Sequence, residues 1–234
     1  RILTFWEKPD DPKPITRRPG FSWINMGVYL FETESLIEGI SHGSGPESIQ
    51  DFGRDILPRF VQSKPVFAYP FRDANVNYWR DVGTLDSYYE ASMDLLRVDP
   101  AFDLYDTSFP IHSSTRPRPP AKMVFAGGQT DRMGVALDSL LCNGCIISGG
   151  RVERSILSPD VRINSCALVE DSILFDRVQV GRGAKIRRAI IDKAVEIPPG
   201  FSVGYDLEED SKRFTVSESG VVVIPKGAQI DQGS

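Results

Sequence analysis

The 234 residues are 41% hydrophobic and 25% charged, with a formal net charge of -5 and a pI near 5.2, enough apolar material for one large or two modest packed domains. The 27 basic residues are scattered along the chain, so the electrostatic footprint of a nucleic-acid binder is missing. No run of about 18 apolar residues points to a membrane span, and no basic, apolar, small-residue leader points to export, which leaves the cytoplasm as the default compartment.

Arg1 opens directly onto an apolar, aromatic stretch (Ile2, Leu3, Phe5, Trp6) that reads as a strand already under way, so a longer chain upstream is expected. Glu7-Lys8-Pro9 follows, with the proline turning the chain out into a loop. Residues 26–31 and 65–71 are further strand candidates, and residues 51–58 between them read as a short helix ended by Pro58. After Tyr78-Trp79-Arg80-Asp81-Val82-Gly83, Thr84 caps a helix running to about Val98, with Leu85, Tyr88, Tyr89, Ser92, Leu95 and Leu96 at helical spacing. Asp99-Pro100 closes it. Short apolar runs alternating with helical patterns over residues 1–110 mark an α/β layer structure. Residues 111–121, with Pro117, Pro119 and Pro120 among Arg116 and Arg118, read as a stiff connector at a domain boundary.

Beyond the connector the periodicity changes kind. Val161, Leu168, Ile173, Val180, Ile186, Ile191, Ile197 and Val203 succeed one another at a mean step of six residues. Such a repeat predicts a parallel β-helix, in which each short strand sends a branched side chain inward at every face of a triangular coil. Gly181, Gly183, Ala184, Ala189, Ala194, Gly200 and Gly204 would serve the corners. The Pro198-Pro199 pair and the glycine density argue against a long amphipathic helix, and ordinary antiparallel strands are the alternative. Cys142, Cys145 and Cys166 are too few and odd in number for a disulfide framework. The Cys142-x-x-Cys145 pair finds no further ligands at zinc spacing, since only His42 and His112 are available. The three cysteines therefore read as small buried residues of the coil.

Two constellations bear on chemistry. In Glu7-Lys8, the ammonium can hold a phosphate as a point charge and the carboxylate can accept from sugar hydroxyls; a surface ion pair is the plainer reading. Asp81 is a single carboxylate at a sharp turn, which suits Mg2+ completed by waters and substrate phosphates, or equally a turn-capping aspartate. Trp79 can stack on a sugar ring or fill a core.

The pieces occur in a telling order: Glu7-Lys8-Pro9, Asn25-Met26-Gly27-Val28-Tyr29, Asp51-Phe52-Gly53-Arg54-Asp55-Ile56-Leu57-Pro58, the Trp79-Arg80-Asp81-Val82-Gly83-Thr84 turn, Pro119-Pro120-Ala121-Lys122, and Ile186-Arg187-Arg188-Ala189-Ile190-Ile191-Asp192-Lys193 within the coil. This series resembles the ADP-glucose pyrophosphorylases (glucose-1-phosphate adenylyltransferases) along nearly all of the chain. The resemblance implies part of a Rossmann-like α/β nucleotidyltransferase domain over residues 1–110, a linker over 111–121, and a left-handed parallel β-helix over 122–234 serving regulation and oligomerisation. It implies transfer of the adenylyl group of ATP to glucose 1-phosphate, giving ADP-glucose and pyrophosphate. Glu7 and Lys8 would contact glucose 1-phosphate, with Lys8 on its phosphate. Asn25 stands where the family has a serine touching the sugar, Trp79 matches an aromatic near the sugar, and Asp81 matches a ligand of the catalytic Mg2+. Arg187, Arg188 and Lys226 correspond to basic residues that bind small phosphorylated effectors, and a homotetramer is implied. The family's glycine-rich ATP loop, adenine pocket and second metal-binding aspartate precede the E-K-P motif, so these 234 residues alone are expected to turn nothing over. A mannose-1-phosphate guanylyltransferase and a non-catalytic regulatory subunit remain alternatives. A hexapeptide acyltransferase would want a histidine in the coil, and none follows His112.

Overall fold

The computed structural model describes residues 1–16, 18–41, 51–71, 78–113, 116–124 and 133–230, in two compact units, Arg1–Phe71 and Arg72–Ser234.

In the first unit, Pro14–Ile15 and Arg18–Ser22 pair as an antiparallel ribbon. Helix α1 (Thr33–Ser41), which the sequence reading missed, is followed by a π-helical turn (Phe52–Ile56) that runs straight into α2 (Leu57–Ser63). Asp51 and Asp55 cap this start reciprocally: Arg54 N donates to Asp51 Oδ1 at 2.8 Å and Asp51 N donates to Asp55 Oδ2 at 2.8 Å. Pro58 therefore opens α2 rather than ending a helix, in the first turn, where its missing N–H has no partner to lose. The two helices meet at Gly39, where a Cβ would stand 2.6 Å from Phe60 Cζ, and Arg59 donates to the Gly39 carbonyl at 3.2 Å. Tyr29, Phe31, Phe52 and Phe60 extend this contact as a chain of ring pairs 5.5 to 6.1 Å apart.

The three stretches expected as strands, residues 2–6, 26–31 and 65–71, join no ladder among the described residues, and Gly27 turns the second of them at φ 71°. One backbone hydrogen bond links two of them, Ile2 N to Val66 O at 2.7 Å, and Leu3, Val28, Leu30, Phe67 and Tyr69 are exposed. A strand of a parallel layer exists only through neighbours far away in sequence and cover on both faces. The apolar residues are in place; the pairing is not found among the described residues.

The second unit is a parallel β-helix whose strands stack in three faces. One face comprises Lys122–Val124, Ile146–Ser148, Arg162–Ile163, Gln179–Val180 and Glu196–Ile197. The next comprises Val135–Leu137, Arg151–Glu153, Leu168–Glu170, Lys185–Arg187 and Ser202–Val203. The third comprises Leu140–Leu141, Ile156–Leu157, Ile173–Leu174, Ala189–Ile191 and Val222–Ile224. Register fixes the inward columns as Ile163-Val180-Ile197, Val152-Val169-Ile186-Val203 and Leu157-Leu174-Ile191-Ile224, all buried. Each full-length side chain so buried is worth about 1.5–3 kcal/mol.

These columns correct the sequence ladder at three places. Leu168 and Ile173 sit one residue before the inward Val169 and Leu174, and successive strand residues point to opposite sides. Val161 is buried at a corner, while Ile163 holds the strand position. The repeat is accordingly 17 residues per coil over most of the prism, built from steps of six, five and six. Left-handed backbone recurs at the corners every 17 residues, with a first step of 16 in two of the three series, at Asp138, Arg154, Asp171 and Arg188, at Gly144, Asp160, Arg177 and Ala194, and at Gly149, Cys166, Gly183 and Gly200. Ala184 and Ala189, expected as corner turns, instead fill the interior. Gly181 is small for another reason: a Cβ there would stand 2.6 Å from the Pro198 backbone of the next coil.

Helix α3 (Leu85–Met93) lies on the outside of the third face. Thr84 caps it, accepting from Ser87 N at 3.1 Å, and a 3-10 turn (Asp94–Leu96) ends it two residues short of the expected limit. Tyr89 packs with the outward Ile173 and Ile190 and with Val221 in a second buried cluster, and its hydroxyl donates to the Asp171 carbonyl at 2.6 Å. The proline-rich stretch is likewise docked along the prism: Arg118 pairs with Asp160 at 2.7 Å, and Gly144 N donates to the Pro119 carbonyl at 2.7 Å. After Val203 the coil is interrupted by α4 (Leu207–Arg213), capped by Asp206, and by Thr215–Val216, which runs antiparallel to Val222–Ile224.

Candidate functional site

Glu7 is half-buried, and its carboxylate lies where a Cβ on Gly53 would have to be. The D-F-G-R-D segment thus acquires a physical reading residue by residue. The two aspartates cap the π-helical turn, Phe52 stacks on Tyr29 at 5.5 Å and 19°, and Gly53 makes room for Glu7. The following Lys8 is exposed and adopts left-handed backbone at φ 45°. Asn25 is exposed and committed locally: its Oδ1 accepts from Gly27 N at 3.0 Å, and its Nδ2 donates to Tyr29 Oη at 2.6 Å. Its side chain shapes the Gly27 turn, and the sequence reading did not foresee that role.

In the second unit, Asp81 is exposed, and its Oδ1 accepts from Gly83 N at 3.2 Å, the local bond of a turn-forming aspartate. Its Oδ2 has no hydrogen-bond partner among the described residues. Trp79, 37% exposed, is not a core tryptophan. Tyr78 beside it stacks on Phe102 at 5.9 Å and 15°. Arg80 pairs with Asp94 at 2.7 Å, and Arg97 joins the same carboxylate at 3.3 Å, so the turn is fastened to the far end of α3.

Arg187 and Arg188 close the second face and turn into the third. Arg187 donates from Nε to the Gly204 carbonyl at 3.2 Å and lies 4.4 Å from the Tyr205 ring centre, and Tyr205 donates to Glu170 Oε2 at 3.1 Å. Burial and that hydrogen bond both push the Tyr205 hydroxyl pKa up. Arg188 donates to Ser219 O at 3.1 Å and to Ser219 Oγ at 3.0 Å. Lys226 is exposed, and its backbone N–H donates to Asp192 Oδ2 at 3.2 Å. Arg188 enters the third face on the coil of Ala189–Ile191, whereas Lys226 leaves it after the neighbouring Val222–Ile224. They stand at opposite corners, about 10 Å of strand apart.

Cys145 is buried, donates towards the Ser158 carbonyl at 3.1 Å, and has its thiol pushed up to about 11, chiefly by desolvation. Cys142 and Cys166 are exposed, against expectation; both lie at the outside of corners, where the coil turns its side chains away from the interior. Among the described residues no group of three or more His, Cys, Asp or Glu side chains could hold a metal; His42 lies outside them. The open oxygen of Asp81 fits a hard cation that takes its other ligands from water and substrate phosphates. No helix among the described residues is long and apolar enough to cross a membrane.

Comparison with known proteins divides the chain later than its compact units do, so that α3 falls within the first family match and the second unit. Residues 1–98 match the nucleotidyl transferase family and residues 119–224 the GlmU-like C-terminal hexapeptide family. Glucose-1-phosphate adenylyltransferase of Rhodopirellula baltica is 50% identical over 98% of the chain and 53% of its own length. Its namesake from an Anaeromyxobacter species is 48% identical over 99% of the chain and 59% of its own length. Glucose-1-phosphate adenylyltransferase 2 of Vibrio cholerae is 45% identical over 98% and 57%. The chain spans a little over half the length of these relatives. Aligned over nearly all of its residues at close to half identity, it is similar along its length to part of these glucose-1-phosphate adenylyltransferases.

Proposed function

We propose that this chain supplies the sugar-phosphate side of an active site that transfers the adenylyl group of ATP to glucose 1-phosphate, releasing pyrophosphate and ADP-glucose. One observation carries the reading: Lys8 and Asp81 are exposed charges left open at their tips. Lys8 forms no ion pair among the described residues, and one Asp81 oxygen has no partner, whereas Arg80, Arg97, Arg118 and Arg154 are all paired. Lys8 also adopts left-handed backbone outside the periodic corners of the β-helix, at a cost of order 1–3 kcal/mol for a non-glycine residue.

In this scheme Lys8 holds the phosphate of glucose 1-phosphate as the nucleophile, and Glu7, steadied against Gly53, accepts from a sugar hydroxyl. Trp79 covers the sugar face. The phosphate oxygen bonds to the α-phosphorus of ATP as the bond to the pyrophosphate oxygen breaks, and the electron pair leaves with pyrophosphate. Asp81 would hold Mg2+, which supplies charge neutralisation on the phosphates. Little covalent work falls to the side chains; alignment and electrostatic stabilisation dominate. Arg187, Arg188 and Lys226 are proposed to serve small phosphorylated effectors, with Lys226 acting apart from the arginine pair. A cytoplasmic homotetramer is the proposed assembly.

The test uses a protein of the relatives' full length carrying this sequence. Lys8→Ala is expected to raise the KM for glucose 1-phosphate by about 10- to 100-fold, as loss of a charged phosphate contact does. Asp81→Asn is expected to lower kcat by about 100-fold or more. Unchanged kinetics in both variants would assign the chain to a regulatory subunit instead.

A further inference from the structure

The turn carrying Asp81 is tied to the β-helix by contacts that the proposed reaction does not use. Asp86 lies in the first turn of α3, two residues after its cap. Its carboxylate accepts from Ser217 Oγ, from Ser219 Oγ at 2.7 Å and from Ser219 N at 3.3 Å. These partners are 131 to 133 residues away in the chain. They sit in a loop that holds its own shape, since Ser217 N donates to Val221 O at 2.9 Å and Val221 N donates to Ser217 Oγ at 3.0 Å. From the other side Arg188 donates to both oxygens of Ser219, and its guanidinium lies 5.2 Å from the Tyr89 ring centre. Each hydroxyl balances: Ser219 Oγ accepts from Arg188 and donates to Asp86, and Ser217 Oγ accepts from Val221 and donates to Asp86. The hydrogen bonds from Ser217 and Ser219 hold the Asp86 carboxyl below the usual carboxylate range, against a smaller effect of desolvation.

Apolar packing of Tyr89 on Ile173 and Ile190 is non-directional, and the Tyr89 hydroxyl bond to the Asp171 carbonyl at 2.6 Å pins α3 at one point, about which rotation stays weakly fixed. Charge-assisted hydrogen bonds fix that rotation. The Asp81 turn is in turn stapled to α3 at both ends, by Arg80 with Asp94 and by Thr84 with Ser87. A movement of α3 is therefore a movement of Asp81.

We propose that Asp86, Ser219 and Arg188 form a latch that sets the register of α3 on the β-helix and so positions the Asp81 turn. The three are positioning residues; none is assigned a contact with substrate. The mechanical part stands on these contacts alone, and only its effect on turnover rests on the reading of Asp81 given above.

Hydrogen exchange of the 234-residue chain tests the latch. Asp86→Asn and Ser219→Ala are each expected to speed exchange of the amides of residues 84–93 by about tenfold. The amides of residues 161–203 should keep their protection, which shows that the prism is still folded, and Ser219→Thr, which keeps the hydroxyl, should restore slow exchange. Unchanged exchange over residues 84–93 in both Asp86→Asn and Ser219→Ala overturns the proposal. In the full-length protein, Ser219→Ala should lower kcat several-fold while leaving the KM for glucose 1-phosphate within about twofold. If Asp81→Asn leaves turnover untouched while Ser219→Ala loosens residues 84–93, the assignment of Asp81 fails and the latch stands. If Asp81→Asn abolishes turnover and Ser219→Ala changes neither exchange nor kcat, the latch fails and the assignment stands.

Discussion

The two units spend their apolar residues differently. In the β-helix every inward position meets its counterpart one coil away, and Leu157, Leu174, Ile191 and Ile224 form a column with no exposed surface. In the first unit Leu3, Val28, Leu30, Phe67 and Tyr69 remain exposed, and the buried residues among those described lie in α1, the π-helical turn and α2. A solenoid needs only its sequence neighbours to complete each layer; an α/β layer needs strands brought from far along the chain. Apolar residues are closed into a core where their pairing strands lie one coil away, and stay exposed where no pairing strand is found among the described residues.

The largest effect that would break this contrast is a truncation inside the prism. Ile191→Ala should cost about 2–5 kcal/mol in denaturant unfolding, while Leu30→Ala, at a fully exposed position, should stay within about 0.5 kcal/mol. Equal losses would mean that the first unit is as tightly packed as the second.

Two glycines sharpen the comparison further. At Gly204, φ 79°, a Cβ would collide with the Arg187 carbonyl, whereas at Gly183, φ 69°, nothing lies within 4 Å. Gly183→Ala should cost only the left-handed backbone penalty, about 1–2 kcal/mol, and Gly204→Ala clearly more, measured as the difference in unfolding midpoint. In the first unit, Gly53→Ala should displace Glu7 with little change in stability, and lower kcat/KM for glucose 1-phosphate by about tenfold in a full-length protein. Wild-type kinetics would show that Glu7 does not touch the sugar.

The smallest effect concerns charge. Burial pushes the Asp210 carboxyl up, more than the hydrogen bond from Gly204 N at 2.7 Å pulls it down. The folded state then holds this proton more tightly than the unfolded state, so the associated stability is complete below the ordinary carboxylate range and is lost as pH rises through the raised value. Asp210→Asn should thus raise Tm by about 2 °C at neutral pH, with the gain vanishing in acid. A constant gain at all pH values would remove ionisation as the cause.

Much was legible in the residues because local rules decide it. Thr84 announces the start of α3 through its own side-chain bond, and a sheet built from consecutive coils writes its period into consecutive residues. The period itself was misread by single positions, at Leu168 for Val169 and Ile173 for Leu174. Both choices are aliphatic, and sequence alone carries no mark of which side of a two- or three-residue strand faces in. Ile173 is buried after all, but on the outside, under Tyr89. Asn25 and Arg187 show the same limit at the site, since nothing in the sequence tells whether a polar tip is free for a ligand or spent on Tyr29 or Gly204.

By itself, then, the sequence determined the class of the second unit and the Thr84 cap of α3, because each depends on residues within a coil or a turn of one another, and it carried the order of motifs on which the family resemblance rests. Only the tertiary structure decided which aliphatic side chains face inward, that Gly53 yields its space to Glu7, and that Asp86 and Arg188, about a hundred residues apart, meet at Ser219. Such contacts follow from how distant segments are brought together, and no local pattern encodes that distance.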